Sequence, residues 1–450
     1  LDQDHGITPG AAGGLGKSTM RRVSQRLIPF LLLCYVISFL DRVNVSFAAL
    51  QMNRDLGFNA DVYGTGAGLF FVTYCLFEVP SNLLLFRFGA TRWIARIMFT
   101  WGLVAAGMAF VVGPYSFYGM RLLLGVAEAG FFPGVLFFLT LWFPAAWRGR
   151  VIALFMSGVA ISGLIGSPVS GLLLTLDGFL GLRGWQWLFL LEGAPAIILA
   201  PLCLLYLQDG PSRAGWLPAA EKAWLAATLQ AEHAAASLKP KSTSVRALLN
   251  PRVLLLAATY FSNVLMINGI QFFLPTILKS FGLSNVQTGF VAAIPSCAAL
   301  LAVLWWGRHS DTRKERYGHA AAANLLAGVA LLVFVLLGDP AERVAAVTVA
   351  LAATLAFTAP FWTIPPTFLS GVATAGGYGA ISSLGVLGGF LAPKFIGWQH
   401  TVTGDYGVGL GVIAVFAMLM SCVFYVVGRR LAGDGAQEAM APAPVRGHAR

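Results

Sequence analysis

Twelve apolar stretches, each long enough to cross a bilayer, recur along this 450-residue chain and restrict it to one kind of fold. They lie near residues 26–48, 62–86, 92–112, 116–142, 149–176, 186–207, 252–279, 286–307, 318–338, 343–363, 366–395 and 407–428. A hydrocarbon core demands about 20 apolar residues per helical span. Lipid offers backbone amides and carbonyls no partner, so each stretch is expected to be a helix. With 57% hydrophobic and 11% charged residues, and a mean hydropathy of +0.75, the chain falls outside the soluble globular range. The expected fold class is an all-α membrane protein of twelve transmembrane helices, arranged as two six-helix bundles.

The polar segments set the organisation. The run QDGPSRAGWLPAAEKAWLAATLQAEHAAASLKPKSTSVRALLNP separates six spans from six, and its middle, from Glu221 to about Ala236, has the composition of a helix. The expected division is a disordered cytoplasmic leader over 1–25, an amino-terminal bundle over 26–207 and a cytoplasmic linker over 208–251. A carboxyl-terminal bundle over 252–430 and a disordered cytoplasmic tail over 431–450 complete it. Thirty Lys and Arg against nineteen Asp and Glu give a net charge of +11. The basic residues cluster in short connectors, as positive-inside sorting requires, which points to the lipid bilayer and not to nucleic acid as the partner. With both termini cytoplasmic, about 22 basic residues fall inside and about five outside (Arg54, Arg183, Lys279, Arg343 and Lys394). The place expected for the chain is the bacterial inner (cytoplasmic) membrane, as a monomer. GGLGKS near the start imitates a phosphate loop, but Ala11 stands where a glycine is required and no strand precedes it. The five cysteines are scattered singly through apolar segments without metal spacing. No metal is expected, and no cofactor beyond protons as the coupling ion.

Four ionisable residues interrupt the apolar spans: Asp41 and Arg42 in the first, Arg121 and Glu128 in the fourth. Each charge at mid-bilayer depth costs roughly 2.5–3.5 kcal/mol on insertion scales, so four cost on the order of 10 kcal/mol unless paired or wetted. Such groups face inward, and their usual use is to move a charged solute or a proton. Arg121 and Glu128 are seven apart, so they share one helix face about 10 Å apart along the axis. Asp41 and Arg42 diverge by about 100°, which lets one face a cavity while the other meets a neighbouring helix. Arginine suits a carboxylate because its planar fork donates two parallel hydrogen bonds. A carboxyl in a low-dielectric cavity can gain and lose a proton. A static ion-pair network that only fixes helix packing is the alternative use of the same four residues.

Gly307-Arg308-His309-Ser310-Asp311-Thr312-Arg313, in the connector after the eighth span, carries a G-x-x-x-D-x-R pattern and resembles the loop signature of the major facilitator superfamily. The resemblance implies that Gly307, Asp311 and Arg313 form a gating loop that latches helix ends. The amino-half copy departs from the pattern, with Phe86 where the acid is expected. FLDRVN, RLLLGVAEAGFFPG, WQWLFLLEGAPAI and FWTIPPTFLSG are similar to the anion:cation symporter branch over roughly residues 20–430, among carriers of tartrate, phthalate, hydroxyphenylacetate and related organic anions. That resemblance implies import of a small organic carboxylate by proton symport and alternating access. It implies Asp41 and Glu128 as the proton-coupling pair, Arg121 as the main partner of substrate or acid, Arg42 guarding the outer cavity, and Tyr74 and Gln271 lining it. Trp362 and Phe361 are candidate walls of the substrate site and Ser382 a candidate substrate contact, while Glu78 reads as a packing or gating residue and Glu192 as a structural one.

In the eleventh span the tartrate-type pattern A-L-I-N-S-I-G-N-L-G-G is replaced, with Ser382 and Val386 where two carboxamides are expected. A lost partner costs about 1–3 kcal/mol per buried group, which favours a less hydroxylated acid. Gly158, Gly163, Gly166 and Gly171 in SGVAISGLIGSPVSG permit close helix approach, with Pro168 adding a bend, and suit a rocking helix. An exchanger or exporter without proton coupling, and a non-transporting sensor, are the competing functions. A membrane enzyme would need a nucleophile–base or metal set. The six histidines lie at termini, in connectors or near residue 400, so the chain is not expected to be an enzyme.

Overall fold

Because a segment in lipid must satisfy its own backbone, every apolar run closes into a helix, and among the described residues there is no strand. The computed structural model describes residues 9–237, 250–367 and 372–440. The helices are α1 Pro9–Asp55, α2 Ala60–Phe88, α3 Ala90–Gly107, α4 Pro114–Glu128, α5 Phe131–Thr140, α6 Ala145–Met156, α7 Gly158–Leu173 and α8 Gly184–Tyr206, then α9 Ala219–Ser237 in the linker. After it come α10 Pro251–Lys279, α11 Asn285–Arg313, α12 Tyr317–Leu336, α13 Pro340–Phe361, α14 Val372–Thr403 and α15 Tyr406–Met440. Twelve spans result, since α4 with α5 and α6 with α7 each make one. The fourth span is broken at Ala129 (ψ 130°) and Gly130 (φ 86°), the latter a left-handed position that glycine adopts without strain.

Two expectations about the ends are corrected. The first helix begins at Pro9, so residues 9–25 are helical and not a disordered leader. Tertiary contacts override their polar, glycine-rich composition: Met20 and Val23 are fully buried, Ser18 donates to Glu221 (3.1 Å) and Arg22 pairs with Glu221 (3.4 Å). Gly16 lies so close to the linker helix that a Cβ there would stand 2.8 Å from the Trp224 ring. At the other end α15 continues through 431–440, part of the expected tail. The helix foreseen in the linker is α9, and its Glu232 reaches Ala145 N (2.8 Å) and Arg148 (3.3 Å) at the start of α6.

Two compact units divide the described residues. The first takes in those of Leu1–Pro240 together with Gly269–Leu300 and Gly389–Tyr406; the second takes in those of Lys241–Asn268, Leu301–Gly388 and Gly407–Arg450. Within the first, small residues bring helix backbones together, as membrane packing favours. A Cβ at Gly193 of α8 would lie 2.7 Å from Ala106 N and 3.1 Å from Gly102 O of α3. The glycines of α7 behave as their spacing suggests: Gly158 and Gly166 meet Tyr35 and Leu40 of α1, while Gly163 and Gly171 meet Ser296 and Gly289 of α11. At the Asn59 end of α2, Gly64 faces Pro393 O, Gly68 faces Phe390 O, and Gly397 faces Ala60 O. The same end is tied by Lys394 Nζ on Asp61 Oδ1 (2.7 Å) and by the Tyr63 hydroxyl donating to Phe272 O (2.8 Å).

In the second unit an apolar core of Val253, Leu256, Phe357, Phe361, Ile364, Ile381 and Phe424 surrounds a buried polar knot. Asn263 Nδ2 donates to Asn324 Oδ1 (3.1 Å) and to Thr354 O (3.1 Å), and Asn324 Nδ2 donates to Ser421 Oγ (2.9 Å). Four helices, α10, α12, α13 and α15, therefore meet at the Asn263–Asn324 pair. Such bonds are worth about 0.6–2 kcal/mol each in membranes. Asn324→Leu is expected to destabilise by about 2 kcal/mol, through lost bonds and the stranded Asn263 amide, read as a lowered unfolding midpoint of the purified protein. An unchanged midpoint would show that the knot is dispensable.

Candidate functional site

The close contact of α2 with α4 builds the site. Gly125 lets α4 rest on Phe70 O and Tyr74 N of α2, and Thr73 Oγ1 donates to Leu122 O (2.8 Å). Phe70 and Tyr74, one turn apart on α2, thus face the charged side of α4. Glu128 is the last residue of α4, and the break after it leaves the carboxyl directed at α1. There Glu128 Oε1 is ion-paired with Arg42 Nη2 and accepts from Ser38 Oγ (2.9 Å). The Arg42 guanidinium also lies over the rings of Phe39 (4.8 Å), Phe70 (5.1 Å) and Tyr74 (5.1 Å). The side chain of Glu128 is 1% exposed and that of Arg42 17%, so the acid is sealed while the base keeps an opening. Glu128 Oε2 and Arg42 Nε are buried without a hydrogen-bond partner, which leaves both groups capacity for one more.

Arg121, on the same face of α4 as Glu128, does not pair with it. Its guanidinium is fully buried, donating from Nε to Gly66 O (3.2 Å) and from Nη2 to Ala67 O (3.0 Å). Of the two partners expected for Arg121, substrate or acid, Glu128 is not the one it meets here: its guanidinium turns to carbonyls of α2. Phe70 touches both arginines, with Arg121 Cζ 5.2 Å from its ring centre. Asp41 points the other way, into the bundle, where Trp101 Nε1 donates to Oδ2 (2.7 Å) and Asn44 Nδ2 to Oδ1 (3.5 Å). The 100° between Asp41 and Arg42 therefore separates them as expected, Arg42 toward the aromatic cluster and Asp41 toward α3.

Tyr74 is buried beside Arg42. Gln271 is half-buried on α10 of the first unit, next to Phe272, and is not among the partners of Arg42 or Glu128. In the second unit Trp362 packs on Tyr260 (4.9 Å) and Tyr378 (5.4 Å), whose hydroxyl donates to Trp362 O (2.7 Å), and Ser382 lies half-buried one turn along from Tyr378. Ser38, Phe70 and Trp101 were not foreseen. Ser38 had a signal, since it stands four residues before Arg42 on the same helix face; Trp101 lies on another helix and had none.

The placement of the three expected gating residues is corrected, to a helix and not a loop. Gly307, Asp311 and Arg313 lie in the last two turns of α11, which ends only at Lys314 (φ 52°), so the connector shrinks to three residues. Asp311 pairs with Arg316 (2.6 Å) across that turn, while Arg313 is exposed. Glu315 is partly buried, which alone would raise its pKa. Hydrogen bonds from Gly318 N and His319 outweigh that and hold the carboxyl below its usual range.

A multi-pass bundle with these residues inside belongs with the membrane transporters, as its family and relatives show, and those are not enzymes. Residues 31–393 match the family described as Major Facilitator Superfamily, and the chain belongs to it. It is 46% identical over 426 residues to an Agrobacterium vitis protein named "Putative tartrate transporter", covering 93% of this chain and 97% of that one. It is 41% identical to a quinolone resistance transporter of Acinetobacter baumannii (91% and 95% covered). The fold resembles that of a bacterial homologue of the human lysosomal transporter Spinster in an inward-facing, unoccupied conformation, with a TM-score of 0.74 at 16% identity over 95% of this chain and 99% of that one.

Removing one member of a buried ion pair strands the other, at about 3–5 kcal/mol, whereas removing both is often neutral. Arg42→Met is therefore expected to lower the unfolding midpoint strongly, and Arg42→Met with Glu128→Leu to recover most of the loss. A double variant as unstable as the sum of its singles would show that the two side chains do not depend on each other.

Proposed function

We propose that this protein imports a small organic carboxylate across the bacterial inner membrane together with protons, by alternating access. The observation that carries the reading is the Arg42–Glu128 pair, with its acid sealed and its base open on one side. An arginine held in a low-dielectric site by an internal carboxylate can exchange that partner for the carboxylate of a substrate. Protonation of Glu128 removes its charge and frees the guanidinium, so proton and anion enter as linked partners. Tyr74, Phe70 and Phe39 supply flat apolar walls for the rest of the ligand, and Arg121 supplies a second positive charge behind Phe70. Asp41 is the second proton-coupling acid. The Agrobacterium relative supports tartrate as the first substrate to try.

With the amino terminus cytoplasmic, as the basic connectors favour, the glycine-lined end that carries Asp61, Lys394 and Tyr63 faces outward. Its close contacts fit an outer gate that is shut. Opening it requires the Asp61–Lys394 pair and the Tyr63–Phe272 bond to part; both are single, replaceable interactions of the kind that alternating access can break at low cost. If more protons than substrate charges enter per cycle, the membrane potential adds about 2.3 kcal/mol per charge per 100 mV.

The test is uptake of labelled tartrate and phthalate into proteoliposomes with an imposed inward proton gradient. Accumulation is expected to follow the gradient and to collapse with an ionophore; uptake indifferent to the gradient would remove the symport reading, and gradient-driven expulsion would replace import with export. Glu128→Gln should keep tartrate counterflow at equal pH but lose gradient-driven accumulation by tenfold or more. On the purified protein, a ligand at 100 times its dissociation constant should stabilise by about 2.7 kcal/mol, and Arg42→Gln should abolish that thermal shift.

A further inference from the structure

Behind the charged pair, on the far side of α1, lies a second group of buried polar residues that the proposed exchange does not use. Glu192, at the middle of α8, is 3% exposed, and Asp41 and Asn44 of α1 are 1% and 2% exposed. Ser170 Oγ of α7 donates to Glu192 Oε1 (2.7 Å), while Glu192 Oε2 is buried with no hydrogen-bond partner. The Asn44 amide lies against Glu192 as well as donating to Asp41 (3.5 Å), so one carboxamide stands between two carboxyls. Trp101 of α3 closes over the remaining oxygen of Asp41.

A packing role does not require an acid here. Glutamine would accept the Ser170 hydrogen bond equally well and would not risk a charge at mid-membrane depth, where an unpaired carboxylate costs several kcal/mol. Nor do the described residues supply a counter-cation. On α1, Arg42 is turned to Glu128 and Arg54 to Asp55; on α3, Arg96 lies over Trp93 (4.0 Å). Arg183, just before α8, pairs with Asp55 and Asp177, and neither α7 nor the rest of α8 carries a charged residue. With no cation against them, two buried carboxylates next to one carboxamide are costly to hold ionised together, and a proton on either relieves that cost.

We propose that Asp41 and Glu192, bridged by Asn44, form one shared proton seat, which makes Glu192 a third proton-carrying carboxyl of the transport cycle. The inference rests on the proton-symport reading. In the step, a proton arriving from water binds one carboxylate oxygen of the seat as an O–H bond forms, and the same bond breaks when the proton leaves to water on the other side; no electrons are exchanged. Glu192 touches no part of the proposed substrate position, so its loss changes proton coupling and leaves binding intact. The two carboxyls behave as a pair, and the macroscopic titration belongs to both.

Infrared difference spectra of the full-length protein in liposomes, recorded between acidic and alkaline buffer, read this proton without any substrate. The carboxyl C=O band of the parent is expected to lose one component in Glu192→Gln and to shift in Ser170→Ala, which deletes one hydrogen bond and no charge. In proteoliposomes, Glu192→Gln should keep tartrate counterflow within about twofold of the parent and lose gradient-driven accumulation by tenfold or more. Ser170→Ala should move the pH of half-maximal accumulation while keeping counterflow. A carboxyl band unchanged in both variants, or accumulation in Glu192→Gln with the parent's pH profile, overturns the proposal. Should Glu192→Gln fail to fold, an unmoved band and pH midpoint in Ser170→Ala overturn it alone. A parent that ignores the proton gradient rejects symport and this seat together, whereas a coupled parent with indifferent variants rejects only Glu192.

Discussion

The buried ion pair between Arg42 and Glu128 is the interaction on which the amino-terminal bundle turns. Neither charge is tolerable alone in a low-dielectric interior, so α1 and α4 must meet at one register and rotation. The break at Ala129–Gly130 makes this possible by ending α4 at Glu128 and freeing its carboxyl to point sideways. The end of a helix carries partial negative charge, which makes Glu128 lean more heavily on its arginine. Ser38 and the three aromatic rings then fix the guanidinium from the other sides. A pair so arranged is stable in place, yet its attraction falls away once the acid takes up a proton. That combination of firmness and reversibility is what the proposed coupling requires.

Around this centre the helices are held by shape more than by chemistry. Lipid gives no hydrophobic reward for bringing two helices together, so close backbone approach over glycine supplies the attraction. Gly193 of α8 against α3, Gly125 of α4 against α2, and Gly163 and Gly171 of α7 against α11 each replace a side chain with a neighbouring backbone or small residue. Contacts of this type are extensive but shallow, and they slide or part without leaving a charge exposed. Polar knots such as Asn263–Asn324–Ser421 are different in kind, because breaking one strands buried donors; they belong to parts that stay together. The two types therefore differ in what their separation would cost.

The linker helix and the polar start of the chain form a further layer. Composition gave residues 9–25 no reason to order by themselves, yet α9 provides Glu221 for Ser18 and Arg22 and a flat tryptophan for Gly16. Arg26 completes the surface by lying over Tyr206 (4.5 Å) and Trp216 (4.8 Å). Segments far apart in sequence thus stabilise one another where neither has a strong propensity alone. The G-x-x-x-D-x-R run shows the converse, a motif expected in a connector that helical continuation absorbed until Lys314.

By itself the sequence determined the twelve spans, because hydropathy over about 20 residues is dictated by bilayer thickness. It also determined that Asp41, Arg42, Arg121 and Glu128 are inward residues, that α7 is a close-packing helix, and, through ordered motifs, the superfamily. Helical periodicity fixed that Asp41 and Arg42 diverge, since that angle is internal to one helix. Only the tertiary structure decided that Glu128 takes Arg42 and not Arg121, that Asp311 takes Arg316, and that Glu192 takes the hydroxyl of Ser170. Pairing between helices depends on their relative rotation, on the depth at which each side chain emerges and on breaks such as Gly130. None of these is written in the spacing of residues along one helix; they are set by which backbones fit closest.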